Sequence, residues 1–170
     1  MADPDVAALF LTFSREKLLD YDWPRLRTCI ESLTDDQIWW RPNEASNSIG
    51  NLVLHLNGNV RQWLIASFEA LPDDRDRPRE FKAPEQASRT ELLQKLEATL
   101  QHGARVLSRL TDADLRATYH IQGYTVTGLH AVYQVVEHFG QHYAQIAYIT
   151  KMLHDRDLGF YRALDKTGRA

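Results

Sequence analysis

The sequence has one cysteine in 170 residues, no long apolar run and no excess of basic charge. The single cysteine, Cys29, excludes an internal disulfide framework and any zinc finger built from two or more cysteines. The net charge of -3 excludes the basic footprint of a nucleic-acid-binding protein and a polybasic face for an anionic membrane. No segment is apolar enough for a membrane span, and the acidic start predicts no signal peptide. We therefore expect a cytoplasmic protein with neither a nucleic-acid nor a membrane partner.

What is present is the composition of an ordinary globular protein, with 44% hydrophobic and 25% charged residues. A chain of this length buries enough surface to fold without stabilising disulfides or structural metals. We assign residues 1–170 to one domain. With so little cysteine, the chemistry of the protein must come from its seven histidines and its carboxylates.

Four long helical patterns run along the chain. They extend over residues 5–33, 48–70, 88–111 and 128–153. Pro24 lies inside the first pattern and predicts a kink or a break near Asp22. Thr34 and Gln37 form a capping box that opens a short helix, which must end before Pro42. The second pattern is almost without charge, which is typical of a buried helix.

The segments between the helices differ in character. Leu71–Ala87 is a long loop rich in charge and proline, and loops of this length are usually functional or disordered. Ser88 and Glu91 form a second capping box, and a short turn follows the third helix. Thr118–Thr127 predicts a small hairpin or an ordered loop. The economical fold is an all-α four-helix bundle with short extra helices and a long loop between the second and third long helices.

Uncharged polar residues form a stripe on one face of the fourth helix, and a second stripe lies on the second helix. The first stripe contains His130, Gln134, His138, Gln141, His142 and Gln145, and the second contains Asn51, His55, Asn59 and Gln62. His138 and His142 are four residues apart, so both imidazoles lie on one helix face and can converge on one metal ion. If the two stripes face a shared internal site, His55 becomes a third ligand.

Three protein ligands leave a coordination position for water or substrate, which is typical of catalytic rather than structural zinc sites. The amides of the stripes and His130 would then hold the ring orientation or contact the substrate. A buried histidine–amide hydrogen-bond network, or a polar seam wetted by solvent, explains the same stripes without a metal. Three histidines do not identify the ion, because imidazole suits zinc, nickel, copper and iron alike.

Several classes of site are excluded by the residues around the histidine pair. Phe139 follows His138, so the HExxH motif and its general base are missing. The second helix has no carboxylate before Glu69, which excludes a di-iron site. Cys29 has no visible base and a core-like position. Glu137 adjoins the stripe and is either an acid/base group or a solvated edge charge.

Three segments resemble the DinB/YfiT-like superfamily of bacterial four-helix metalloproteins. They are WWRPNEASNSIGNLVLHLNGNVRQWL at residues 39–64, DDRDRPREF at 73–81 and HAVYQVVEHFGQHYAQIAYITKML at 130–153. The three-histidine metal site of that family takes one histidine from the second helix and an HxxxH pair from the fourth. The resemblance therefore implies that His55, His138 and His142 bind a divalent ion, commonly zinc, nickel or iron. It also implies a homodimer, which the long apolar helices favour as well.

The same resemblance implies membership of a group that contains thiol-dependent S-transferases, a maleylpyruvate isomerase that uses mycothiol, and hydrolases. A neutral three-histidine site leaves the metal its full charge, so that a coordinated thiol is deprotonated without a separate base. We expect an S-transferase that joins a low-molecular-weight thiol to a small electrophile. The alternatives are a metal-dependent hydrolase, with Glu137 as proton acceptor, and a non-catalytic metal-binding or stress-response module.

Overall fold

The computed structural model of the protein describes residues 5–83 and 86–162. The first helix of the bundle consists of α1 (Val6–Glu16), a π-helical turn (Lys17–Asp22) and α2 (Trp23–Glu31). The π-helical turn lies where Pro24 predicts a kink or a break. Proline has no N–H, and its ring collides with the carbonyl four residues earlier in an α-helix. A wider turn removes the collision, and the helix continues without a break.

The next short helix begins at the predicted capping box, and the second long helix begins near Ser48, as predicted. Thr34 and Gln37 cap α3 (Asp35–Trp39), and Ser48 and Asn51 cap α4 (Ile49–Val60). A second π-helical turn (Arg61–Ala66) continues α4. Residues 67 and 68 are helical as well, so the second helix ends close to the predicted Ala70.

The segment predicted as a loop between the second and third long helices contains a helix of its own. This helix, α5 (Arg77–Lys82), begins at Asp76, whose side chain accepts a hydrogen bond from the backbone N–H of Arg79. Pro78 lies in its first turn, where a missing N–H costs nothing. The loop predicted over Leu71–Ala87 is therefore helical over Arg77–Lys82.

The third long helix, α6 (Arg89–Leu107), begins at the Ser88–Glu91 capping box, as predicted. It ends before Thr111, because Thr111 caps the next helix, α7 (Asp112–Arg116), together with Asp114. The short turn predicted after the third helix is thus a helical one.

A two-stranded hairpin precedes the last helix. The sequence predicted either a small hairpin or an ordered loop over Thr118–Thr127, and the chain forms the hairpin. Strands β1 (Thr118–Ile121) and β2 (Tyr124–Thr127) pair antiparallel. Gln122 and Gly123 both have positive φ, 54° and 82°, as the tightest two-residue hairpin turns require. The fourth bundle helix, α8 (Gly128–His154), begins at Thr127, whose hydroxyl accepts the backbone N–H of His130.

The core lies between the four long helices. Each helix contributes large fully buried side chains, for example Leu26, Leu56, Leu96 and Phe139. Helix α4 is buried along nearly its whole length because it contacts α5, α6 and α8. Trp63 near the end of this helix donates to Gln122 before the start of α8, so the two helices run antiparallel. Among the described residues, no helix is long and apolar enough to cross a membrane.

Candidate metal centre

Three histidine rings meet between α4 and α8. His55, His138 and His142 each present a ring nitrogen, and the three nitrogens lie within 4.8 Å of one another. The Nε2 atoms of His55 and His138 are 2.9 Å apart. Zn–N bonds of about 2.0–2.1 Å place the nitrogens of a tetrahedral site about 3.3 Å apart, so these separations are of the size that a metal ion requires. Within the described part of the chain, no other group of histidines, cysteines and carboxylates is arranged in this way.

Two charged side chains contact the Nδ1 atom of the His55 ring. Its Nδ1 atom lies 2.8 Å from Oε2 of Glu80 and 3.1 Å from Nη2 of Arg75. The shorter contact, with a full negative charge, favours a proton on Nδ1 that His55 donates to Glu80. This tautomer leaves the lone pair of Nε2 directed at the other two histidines, as a metal ligand needs.

Arg75 and Glu80 belong to residues 73–82, which we call the strap. Arg75 donates from Nε and Nη2 to the two carboxylate oxygens of Glu80, at 2.7 and 2.9 Å. Its Nη1 donates to Oε1 of Gln62 at 2.8 Å, and Gln62 donates to Asp73 at 2.6 Å. The side chains of Arg75 and Glu80 are only 5% and 10% exposed. Buried charges are tolerated when they are paired and hydrogen-bonded. The contacts with Gln62 also fix the strap to the second long helix.

The ring of His142 is oriented in a similar way, by an amide. Its Nδ1 atom lies 2.7 Å from Oε1 of Gln145, so Nδ1 donates and Nε2 has a free lone pair. That Nε2 atom is buried and has no hydrogen-bond partner. An unpartnered buried acceptor costs about 1–3 kcal/mol, and a divalent ion between the three rings would satisfy it. The donor set therefore fits such an ion.

The surroundings of the two α8 histidines lower their pKa values and favour neutral rings. Burial, and then repulsion from His142, His55 and Arg75, lower the pKa of His138 to about 4. Burial also lowers the pKa of His142, although the hydrogen bond to Gln145 opposes this. Burial alone would raise the pKa of Glu80, but the hydrogen bonds from His55 and Arg75 and the charge of Arg75 bring it below its usual value. Neutral imidazoles beside an ionised carboxylate are the protonation states that metal binding needs.

The structure places the predicted amides of α4 in different roles. Asn51 caps the helix and donates from Nδ2 to the carbonyls of Glu80 and Phe81, at 2.9 and 3.0 Å. It therefore contacts the end of the strap rather than a histidine. Gln62 contacts the strap through Arg75. Asn59 is buried, and its carbonyl oxygen has no hydrogen-bond partner.

The predicted residues of α8 are also divided. Gln145 contacts His142, and the oxygen of Gln134 is buried without a partner. Glu137 is exposed and accepts a hydrogen bond from Gln141, which is exposed as well. His130 is exposed in the first turn of the helix. Neither Glu137 nor His130 is among the three residues of the cluster.

Sequence reasoning missed the two strap residues behind His55, together with Gly58. A Cβ atom at Gly58 would overlap Oε1 of Glu80 and lie 2.8 Å from Nε of Arg75, so only glycine leaves room for this ion pair against α4. The available signal was the length of the 71–87 segment and its charged run DDRDRPRE. Nothing in that run indicates which charges are buried.

Comparisons with known proteins agree with this architecture. A family profile described as "Protein of unknown function (DUF1572)" matches residues 5–163. A conserved protein from Enterococcus faecalis superposes with a TM-score of 0.70 at 17% identity, over 85% of this chain and 97% of its own. A DinB-like protein from Bacillus cereus gives a TM-score of 0.64 at 15% identity, over 79% and 87%. A comparison with curated proteins gives no match. The resemblance to the DinB/YfiT-like superfamily and the all-α bundle are thereby confirmed.

Proposed function

The chain belongs to the family described as protein of unknown function (DUF1572), and we propose that it is a divalent-metal-dependent enzyme that transfers a small thiol to an electrophile. One observation carries the proposal: three histidine nitrogens lie within 4.8 Å of one another, and one of them, Nε2 of His142, is buried without a partner. The ligand set would be His55, His138 and His142. Zinc, nickel and iron(II) are the candidate ions, because imidazole binds all three.

A divalent ion held by His55, His138 and His142 would supply a positive charge that lowers the pKa of a nearby thiol, so that the thiol would ionise at neutral pH. The chain itself keeps the ring nitrogens aligned. Glu80 accepts from His55, and Gln145 accepts from His142. In the proposed reaction a C–S bond forms to the electrophile, the leaving group departs with its bonding electron pair, and the thiol proton passes to solvent.

The carboxylates near the cluster favour a thiol over water as the nucleophile. Attack by water needs a proton acceptor beside the ion. Glu80 lies behind His55 and both its oxygens are occupied by Arg75 and His55. Glu137 is exposed and bonded to Gln141. We infer that a thiol, which ionises beside the ion without a separate base, suits this site better than water.

The test combines metal loading with two classes of substrate. The zinc-, nickel- or iron-loaded protein is incubated with 2-mercaptoethanol or cysteine and 1-chloro-2,4-dinitrobenzene, and the thioether is measured by mass spectrometry. We expect metal-dependent thioether formation that His138→Ala abolishes. His102→Ala removes a histidine outside the cluster and is the matched control, which retains activity.

Two other results would contradict the proposal. Metal-dependent hydrolysis of ester or amide substrates that Glu137→Gln reduces, without thioether formation, would favour the hydrolase. No turnover in either assay with the ion bound would favour a non-catalytic metal-binding module. The homodimer stays a prediction, and sedimentation of the 19.6 kDa chain at tens of micromolar tests it.

A further inference from the structure

We propose that Glu80 and Arg75 are positioning residues that together select the metal-binding tautomer of His55. Glu80 accepts the Nδ1 proton, and Arg75 holds the carboxylate so that one of its oxygens faces Nδ1 as an acceptor. The proposal rests on the proposed metal site for its affinity effect, although the tautomer itself is a property of the chain and can be measured without metal.

The contacts around Nδ1 of His55 make this selection necessary. Nδ1 lies near an acceptor, Oε2 of Glu80 at 2.8 Å, and near a donor, Nη2 of Arg75 at 3.1 Å. If Nδ1 accepted from Arg75, the proton of the neutral ring would lie on Nε2, directed at His138, and the lone pair for a metal would be lost. Arg75 Nη2 also donates to Oε2 of Glu80 at 2.9 Å. That bond directs the guanidinium towards the carboxylate and leaves the carboxylate to take the ring proton.

The geometry of the ion pair gives the carboxylate one orientation. Arg75 engages both oxygens of Glu80, through Nε and Nη2. Bidentate pairs of this kind fix direction as well as distance. The side chains of His55, Glu80 and Arg75 are 6%, 10% and 5% exposed, so little water competes for these contacts. The missing side chain of Gly58 provides the space in which the pair approaches α4.

An amide in place of the carboxylate should reverse the tautomer. In Glu80→Gln, Arg75 still requires an acceptor, so it takes the amide oxygen. The NH2 group then faces His55 and donates to Nδ1, which moves the ring proton to Nε2. Removing Arg75 as well, in Glu80→Gln/Arg75→Met, frees the amide to rotate its oxygen towards the ring. The double variant should therefore return towards the wild-type tautomer.

The experiment reads the tautomer and the metal affinity separately. Long-range ¹⁵N–¹H NMR of the metal-free protein identifies the protonated nitrogen of His55. Zinc affinity is measured by competition with a fluorescent chelator at a temperature where circular dichroism shows every variant folded. We expect an Nδ1 proton in the wild type, an Nε2 proton in Glu80→Gln with zinc binding weakened about 10–100-fold, and recovery of both properties in the double variant.

The chain offers a matched control in Glu69, which accepts from His102 and Arg109 on the surface. Glu69→Gln removes the same kind of carboxylate and should leave both His55 and the zinc affinity unchanged. An Nε2 proton on His55 in the wild type would overturn the proposal. So would a Glu80→Gln variant with the wild-type tautomer, or a double variant that stays in the Nε2–H form. If the wild type binds neither zinc, nickel nor iron(II), the proposed function fails, whereas the NMR result still decides the tautomer.

Discussion

Two histidine–glutamate–arginine triads occur among the residues that the structure describes, and they differ mainly in burial. In the first, Glu80 lies between His55 and Arg75 beside the histidine cluster. In the second, Glu69 accepts from Nε2 of His102 at 2.8 Å and from Arg109 at 2.6 Å. The side chains of the second triad are 36%, 25% and 65% exposed for histidine, glutamate and arginine, against 6%, 10% and 5% in the first.

The comparison shows that the same three side chains do not by themselves make a site. Hydrogen bonds to histidine and arginine bring the pKa of both glutamates below the usual value, against the effect of burial. On the surface, water competes with each contact, so such pairs hold the orientation of their side chains only weakly. In the buried triad, Nε2 of His55 faces the rings of His138 and His142. The carboxylate of Glu80 therefore determines the direction in which the lone pair of Nε2 points.

The largest effect is expected from Gly58→Ala, which breaks the buried triad without deleting any of its groups. The new methyl group overlaps Glu80 and displaces it from His55. Buried charged groups that lose a hydrogen-bond partner cost more than the roughly 1–3 kcal/mol of a neutral polar group, and this exceeds the gain of about 1 kcal/mol in helix propensity. We expect a lower thermal midpoint and weaker zinc binding, measured by calorimetry.

Gly140→Ala is the control for this variant, since Gly140 lies on α8 between the two histidines of that helix. A Cβ atom there is 3.6 Å from Asp22, an ordinary contact. Stability and zinc affinity should be retained or slightly improved. Equal losses in both glycine variants would show that the effect does not depend on the strap.

A smaller effect is expected from Asn51→Ala, which loosens the strap at its end. The carbonyl of Glu80 loses its donor in a buried position, and the carbonyl of Phe81 loses it in a half-buried one. Chemical denaturation should show a loss of about 1–3 kcal/mol, the usual cost of unpartnered buried polar groups. Hydrogen exchange should increase in α5. Unchanged exchange there would mean that other contacts hold the strap.

The smallest effect is expected from Glu69→Gln in the exposed triad. The ring of His102 has solvent as an alternative partner, so zinc affinity and secondary structure should match the wild type. A clear loss of zinc binding in this variant would contradict the distinction drawn between the two triads.

Much of the architecture follows from local signals that a sequence displays. Helix starts at Ser48, Ser88 and Thr127 were correctly predicted because a hydroxyl cap and the residues after it are adjacent in the chain. The adjacency of the second and fourth helices was predicted from their uncharged polar stripes, and the structure brings His55 against His138 and His142. Pro24 indicated a disturbance, but a π-helical turn and a break give the same sequence signal.

The strap could not be predicted because it is stabilised by buried charge. Its helix is only six residues long and has no apolar periodicity. Hydropathy assigns Arg75 and Glu80 to the surface, since charged residues are rarely buried unless they are paired. Their pairing is local, but their burial depends on Gly58 and Gln62 from a distant helix. Such a match between a loop and a helix is visible only in three dimensions.

The most direct test of the account is the metal content of the chain. Protein purified without an affinity tag is analysed for bound metals, and the metal-free wild type, His138→Ala and His102→Ala are titrated with zinc by calorimetry. We expect one divalent ion per wild-type and His102→Ala chain, and no specific binding by His138→Ala. A wild type that binds no divalent ion, or a His138→Ala variant that binds it equally well, would contradict the assignment of the three histidines as its ligands.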